Sequence, residues 1–271
     1  MTDAPGWAPA PWLANLPAGV PVLTWDEFLT GAPSSLRAAR WPGFVWNQDE
    51  HVTLIGPTGV GKSTLVREIL PYRKFVWIAA AKPVDATIDR YVREDRYKLA
   101  ADPKVLPTPR RRYNRSTGGR ETEPVRLIVR PRFIDVPGLT YEQHQAQVFT
   151  PLLRASFAQG GWCHVADDLD YMCNQLGLTV FYERLYALGR AGKSIVVSNL
   201  QRPRNVPLLA YSSATHLFIY CTNDDDDLKR LEGLGGLPTK LIRAIVASLP
   251  HHVVLYVNTR DRSMAVTKVG S

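Results

Sequence analysis

Three cysteines in 271 residues, Cys163, Cys173 and Cys221, are too few and too irregularly spaced to staple a fold or hold a zinc ion. The count is odd and no C-x-x-C pair occurs, so a disulfide framework is excluded and a reducing, intracellular compartment is expected. Long apolar runs are also missing: none approaches the ~20 residues needed to cross a bilayer. The segment Met1–Trp7 has neither the basic nor the apolar region of a secretory signal, so a soluble protein is expected. No nucleophile triad can be assembled, and His251-His252 lacks ligand spacing. Asp224–Asp227 lacks the glycine and closing Glu of a calcium loop and reads as a loop and N-cap for the helix that follows. No internal repeat is visible.

What is present is a phosphate-binding loop. Gly56-Pro57-Thr58-Gly59-Val60-Gly61-Lys62-Ser63 follows the apolar run Val52–Ile55 and precedes Thr64–Leu70, a candidate amphipathic helix. The glycines let the backbone wrap so that successive N–H groups face phosphate oxygens, and the helix adds its positive end. Lys62 would reach the β- and γ-phosphates, and Ser63 would offer its hydroxyl to Mg²⁺. Residues 56–64 are therefore the candidate nucleotide site, with ATP and Mg²⁺ as its ligands.

Length and a hydrophobic content of 45% suit one large α/β domain. Residues 1–40 read as a Pro-rich arm, able to dock on a neighbour, followed by a short Thr24-capped helix; the core is expected over 41–271. Within it, apolar strands at Val52–Ile55, Phe75–Ala80, Val125–Val129, Trp162–Ala166, Ser194–Ser198, His216–Tyr220 and Val253–Val257 alternate with helical stretches such as Tyr141–Ala158 and Val180–Gly189. Continuous apolar strands separated by helices predict a mainly parallel, twisted sheet with helices on both faces, and Ala265–Val269 is expected as its edge strand. His164, inside a strand, is expected in the core.

Hydrolysis also requires an acid that holds the metal and a group that orients water. The strand Trp162–Ala166 ends in Asp167-Asp168. Asp167 stands where the metal-linked carboxylate belongs, and Asp168 is the candidate water-polarising base. Helix capping by these acids is the competing reading. The next strand runs into Asn199-Leu200-Gln201-Arg202-Pro203, which places the Gln201 amide one strand over as a γ-phosphate sensor.

The net charge of +8 is concentrated: between Asp89 and Arg132 stand thirteen Lys or Arg and six Asp or Glu. The basic insertion around 103–124 carries Arg110, Arg111, Arg112 and Arg115 and reads as a mobile loop able to contact a phosphate backbone without reading sequence. Tyr113 is placed to stack on a base. A solvated, disordered insertion that keeps the protein in solution is the competing explanation.

Gly189-Arg190-Ala191-Gly192 followed by Ser198-Asn199-Leu200-Gln201-Arg202-Pro203 and Val206 resembles the G-R-x-x-G and T-Q-R-P-x-x-V signature of the FtsK/HerA superfamily of DNA-pumping ATPases. Lys82–Asp85 resembles that superfamily's D-x-K-x-D segment more loosely. The resemblance spans about residues 50–260. It implies a RecA-like (ASCE) P-loop NTPase core, a homo-oligomeric ring of five or six subunits with ATP between them, and double-stranded DNA threaded through the middle. It carries Lys62 and Ser63 over as phosphate and Mg²⁺ ligands, Asp167 as the second Mg²⁺ contact and Gln201 as sensor. Arg190 is the candidate finger to a neighbour's γ-phosphate, with Arg202 and Arg204 as rivals. Superfamily members usually have Glu where Asp168 stands, which shortens the reach by roughly 1.5 Å. The chain lacks the membrane spans and winged helix of large bacterial members, which fits a viral or mobile-element motor that packages a genome, cytoplasmic in the host or virion-associated, with a portal, capsid or membrane-vertex protein as a further partner. An ATP-dependent virion-assembly or secretion factor and a P-loop nucleotide kinase are the alternatives.

Overall fold

The computed structural model describes residues 6–8, 12, 16–17, 19–31, 41–114, 116, 118–134, 137–202, 206–222, 224–231 and 239–270. Its strands are β1 (Val22–Leu23), β2 (Val52–Ile55), β3 (Phe75–Ala79), β4 (Lys98–Ala100), β5 (Arg111–Asn114), β6 (Gly119–Thr122), β7 (Val125–Val129), β8 (Cys163–Ala166), β9 (Ile195–Leu200), β10 (His216–Tyr220), β11 (Val253–Asn258) and β12 (Met264–Lys268). Its helices are α1 (Trp25–Thr30), α2 (Lys62–Ile69), α3 (Ala86–Arg93), α4 (Tyr141–Gln159), α5 (Thr179–Leu188), α6 (Leu209–Ser212), α7 (Asp225–Leu231) and α8 (Thr239–Ser248).

Ten strands form one sheet in the order β1-β12-β11-β10-β2-β9-β8-β3-β7-β4. From β10 to β4 every neighbouring pair is parallel; β11 alone runs against both its neighbours. Alternate residues of each strand face opposite layers. Val76 and Ile78 join one buried cluster with Leu65, Val66 and Ile69 of α2, whereas Trp77 and Ala79 join the other with Leu152 and Leu153 of α4 and Tyr182 of α5. Helices α1–α3 thus cover one face and α4–α8 the other, and the central strands β2, β8, β9 and β10 are buried at every position because neither side meets water, Thr53, His164, Ser198, Asn199 and His216 included. This is the expected α/β architecture.

The strand sequence skips. After β2 the chain crosses α2 to β3, leaving room for β8 and β9 between them. Because β2, β9, β8 and β3 are parallel, their C-terminal ends share one edge of the sheet, and Ile55 lies level with Leu200 while Ala166 lies level with Ser198. The Gly56 N–H extends that ladder by donating to the Leu200 carbonyl at 3.1 Å.

Three local expectations meet different outcomes. Thr24 caps α1 as expected, in a capping box: Glu27 N–H donates to the Thr24 hydroxyl at 3.2 Å and Thr24 N–H to the Glu27 carboxylate at 2.8 Å. The helix, placed before the core by the sequence reading, packs on it: Phe28 is fully buried among Trp25, Trp41, Phe44, Phe218 and Tyr256. The strand expected at the sheet's edge, β12, is flanked on both sides, because Val22–Leu23 pairs with it in parallel. The basic stretch expected as a loop contains a two-stranded hairpin, β5–β6, pairing Arg111 with Thr122 and Tyr113 with Arg120. Arg115 lies outside the described residues, as do Pro203, Arg204 and most of residues 1–18.

No disulfide joins the three cysteines, and no described helix is long and apolar enough to cross a membrane.

Candidate active site

The loop between β2 and α2 turns on glycines in the left-handed region, Gly59 at φ 85° and Gly61 at φ 102°. A side chain at either position would be strained. At Gly56 an added Cβ would stand 2.7 Å from the Tyr220 Cβ, so the start of the loop is pressed against the end of β10. Lys62, the first residue of α2, curls its ammonium onto the loop, donating to the carbonyls of Gly56 at 2.5 Å and Pro57 at 2.7 Å.

Across from the loop stand the ends of β8 and β9. Asp167 accepts from the Asn199 side-chain amide at 3.2 Å, and Asp168 accepts from the Gln201 amide at 3.3 Å. The two strand ends are cross-braced, each acid by an amide one strand over. Asp168 also caps the π-helical turn Tyr171–Gln175, its other oxygen accepting from the Tyr171 N–H at 3.2 Å. Capping and a role in the cleft are therefore compatible, since one carboxylate oxygen is pinned and the second faces Gln201. From the end of β3, Lys82 and Asp85 complete the wall; Asp85 N-caps α3 by accepting from the Thr87 N–H at 2.8 Å.

These residues line one cleft of about 350 Å³ that includes Thr58, Gly59, Gly61, Lys62, Ser63, Thr64, Asp167, Asp168 and Gln201. Burial raises the Asp167 carboxyl above its usual range, with Asp85 adding to the push, while Lys82 and the Asn199 amide oppose it. Burial lowers Lys62 to about 8, against the pull of Asp168 and Asp167 and with Lys82 reinforcing the fall. Its folded value lies below the ordinary 10.5, so the unfolded chain holds more protons between the two. The buried charge costs stability in full below about pH 8, and that cost is relieved as pH rises toward 10.5. Phosphate binding should run the other way: affinity for ATP is expected to fall as pH rises through about 8, approaching tenfold per unit well above it. Equilibrium binding of a slowly hydrolysed ATP analogue across that pH checks this, and a flat profile would remove Lys62 from phosphate contact.

The donor set fits Mg²⁺ held jointly with phosphate. Ser63 and Asp167 offer a hydroxyl and a carboxylate, and among the described residues no cluster of three or more His, Cys, Asp or Glu could hold a metal without other ligands. Asn199 leaves its buried side-chain oxygen without a hydrogen-bond partner, at the same strand end.

No protein-family profile matches the chain, and no curated protein sequence does. Solved structures do. The genome-packaging NTPase B204 from Sulfolobus turreted icosahedral virus 2, in complex with sulfate, matches with a TM-score of 0.56 at 13% identity, covering 82% of this chain and 98% of that one. Its complex with AMPPCP matches at 0.53 and 14%, covering 82% and 99%. The DNA-packaging ATPase B204 from Sulfolobus Turreted Icosahedral Virus matches at 0.55 and 14%, covering 82% and 98%. The chain has the fold of these packaging NTPases.

Within this packaging-NTPase fold the remaining sequence candidates lie elsewhere. Arg190 belongs to the turn Gly189–Gly192 that precedes β9, at the N-terminal ends of the strands, where its guanidinium stands 3.8 Å from Asp49. The length of β9, about 20 Å, separates it from the cleft of its own chain. Of the glycines around it, Gly189 is required by packing, because a Cβ there would run into the Ser194 carbonyl oxygen, whereas Gly192 has ordinary space for a Cβ and serves through its carbonyl, which accepts from the Gly161 N–H at 2.8 Å. Arg202 lines a neighbouring hollow and not this cleft, and it pairs with Asp224 at 3.4 Å.

The basic hairpin is rooted at the same far edge as Arg190. Glu123 N–H donates to the Arg110 carbonyl at 2.9 Å, and Val125 N–H, at the start of β7, to the Lys74 carbonyl at 2.8 Å. Arg110, Arg111 and Arg112 are exposed, but Arg112 pairs with Glu123 at 3.0 Å. Arg111, Tyr113 and Arg120 share the opposite strand face, so Arg120 joins the exposed basic surface. The pairing register shows this; the sequence offered only one more arginine. Asn199 is likewise an addition to the site, and could have been found as the polar residue two before Gln201. Lys82 and Asp85, singled out in the sequence only by a loose resemblance and given no role there, line the same cleft.

Proposed function

We propose that this chain is an ATPase that works as a homo-oligomeric ring and drives double-stranded DNA, as a genome-packaging motor. The observation that carries the proposal is the meeting of Lys62, Asp167, Asp168 and Gln201 in one cleft on a packaging-NTPase fold. In it the loop N–H groups and Lys62 hold the triphosphate. Asp168 accepts a proton from the attacking water as that water approaches the γ-phosphorus, and Gln201, hydrogen-bonded to Asp168, orients the pair. Ser63 and Asp167 would hold Mg²⁺, which when bound supplies positive charge against the phosphate oxygens. Arg190, remote from its own cleft, would serve the cleft of a neighbouring subunit as the finger to its γ-phosphate. The likeness to the B204 proteins, a genome-packaging NTPase and a DNA-packaging ATPase, supports the same reading.

The exposed arginines supply the expected polymer contact. Duplex DNA should raise ATP turnover severalfold, and the gain should fade with added salt. The double variant Arg110→Ala/Arg111→Ala should flatten that salt dependence, lowering its slope by about one for each phosphate no longer neutralised. Phosphate release with and without duplex, at a series of salt concentrations, measures all three. A turnover indifferent to duplex would refute DNA translocation and favour an assembly or secretion role for the same ATPase cleft.

A further inference from the structure

The buried stripe of α4 opens on an amide. Gln145, Val148, Phe149, Leu152, Leu153 and Ser156 recur at three- and four-residue spacing and face the sheet, and Gln145 is fully buried. Such a position is ordinarily apolar, because an amide withdrawn from water costs stability unless both of its ends are hydrogen-bonded. Both are. The Gln145 Nε2 group donates to the Ala81 carbonyl at 2.6 Å, and Oε1 accepts from the Tyr171 hydroxyl at 2.6 Å. A carbonyl can only accept, so the NH₂ end must face Ala81, and the oxygen is left for Tyr171. The amide has one orientation that satisfies both partners.

Each partner leads to a wall of the cleft. Ala81 directly precedes Lys82, and Lys82 and Asp85 line the cleft on the side of β3. Tyr171 is engaged at both ends: its N–H donates to the Asp168 carboxylate at 3.2 Å, while its hydroxyl is anchored on Gln145. It begins the π-helical turn Tyr171–Gln175, a winding that is rare and recurs at functional sites. The Met172 N–H of the same turn donates to the Asp168 carbonyl at 3.1 Å. The segments that follow β3 and β8 are thus tied together behind the cleft by one side chain from α4. Neither Gln145 nor Tyr171 lines the cleft itself. A polar group placed where the core would accept an apolar one, and bonded to the residue that pins the candidate base, departs from the local rule in the way functional sites do.

We propose that Gln145 and Tyr171 form a strut that sets the position of Asp168, which makes both of them positioning residues for the attack on the γ-phosphate. This role rests on the ATPase reading given above. Tyr171→Phe removes the hydroxyl and keeps the N–H, so the cap on Asp168 survives while its anchor is lost. Gln145→Met keeps a long side chain and removes the amide. Each variant of the full chain is taken through single-turnover cleavage of ATP, equilibrium binding of a slowly hydrolysed ATP analogue and thermal melting, with rates read well below the melting midpoint. The rate should fall roughly tenfold in each while analogue affinity stays within about twofold of wild type, since misplacing a reacting group by about 1 Å can cost up to about 10² in rate. The double variant should be no slower than the slower single one, as for two members of one unit. Added to Asp168→Asn, Tyr171→Phe should cost nothing further, because a base already removed cannot be misplaced. A bond that only stabilised the core would lower the melting midpoint and would act on the rate equally in both backgrounds. A wild-type rate in either single variant, affinity lost in step with rate, or the same loss on top of Asp168→Asn would overturn the strut. A normal rate in Asp168→Asn by itself would instead overturn the hydrolysis reading on which the strut stands.

Discussion

Lys62→Ala will lose ATP turnover by about 10²–10³-fold or more while the fold survives. The magnitude follows from what the side chain is asked to do. Removing one preorganised donor aimed at developing charge ordinarily costs about 10²–10³ in rate, and Lys62 is such a donor with a full charge in a partly desolvated cleft. The structural side of the change is small. The ammonium bonds only two loop carbonyls, those of Gly56 and Pro57, and a charge whose burial has already lowered its pKa to about 8 is held at a cost. The melting midpoint should therefore hold or rise slightly, since deleting a desolvated charge removes an opposing contribution. Phosphate release and thermal melting on the same preparation decide the matter. Near-normal turnover in Lys62→Ala would mean that hydrolysis takes place outside this cleft.

Asp168→Asn separates binding from chemistry. One carboxylate oxygen accepts from the Tyr171 N–H and the other from the Gln201 amide. Asparagine keeps the first bond through its own oxygen. At the second position its NH₂ would face the Gln201 NH₂, donor against donor, which a rotation of the Gln201 amide relieves. The geometry thus persists while basicity is gone. Turnover should fall by about 10²–10⁴, the usual contribution of a positioned general base, and ATP affinity should hold or tighten because one negative charge near the phosphates has been removed. Rapid-mix measurement of a single turnover, beside equilibrium binding, checks both. Loss of binding together with rate would assign Asp168 to the pinned turn at Tyr171–Gln175 and not to the attack on the γ-phosphate.

Some of this architecture was legible in the residues alone, and the reasons are physical. The P-loop could be read because its glycines encode backbone conformations that other residues avoid, and both Gly59 and Gly61 take them. The strands could be read because a sheet covered on both faces leaves runs such as Val52–Ile55 and His216–Tyr220 buried at every position. That Asp167-Asp168 and Gln201 face the P-loop also followed, since parallel strands end on one side. Strand order did not follow: apolar alternation states which face a residue takes, never which strand is its neighbour, so the placement of β8 and β9 between β2 and β3 came only with the structure. Two-residue β1 is too short to show a period, and the strand it covers was therefore expected at the edge. The hairpin of β5 and β6 hides in a stretch with no apolar face, closed by Gly118 at φ 69°.

The parallel sheet also divides labour along its strands. The candidate nucleotide cleft lies at one rim, while the arginine-rich hairpin and Arg190 emerge at the other, with stiff β-segments between them that are fully buried at the centre of the sheet. On the proposed role, the part that grips the polymer is an attachment grafted between β4 and β7, remote from the engine that powers it. Descendants of such a chain are free to lengthen, shorten or recharge the graft to suit other cargo, and the rim that cleaves ATP need not change when they do.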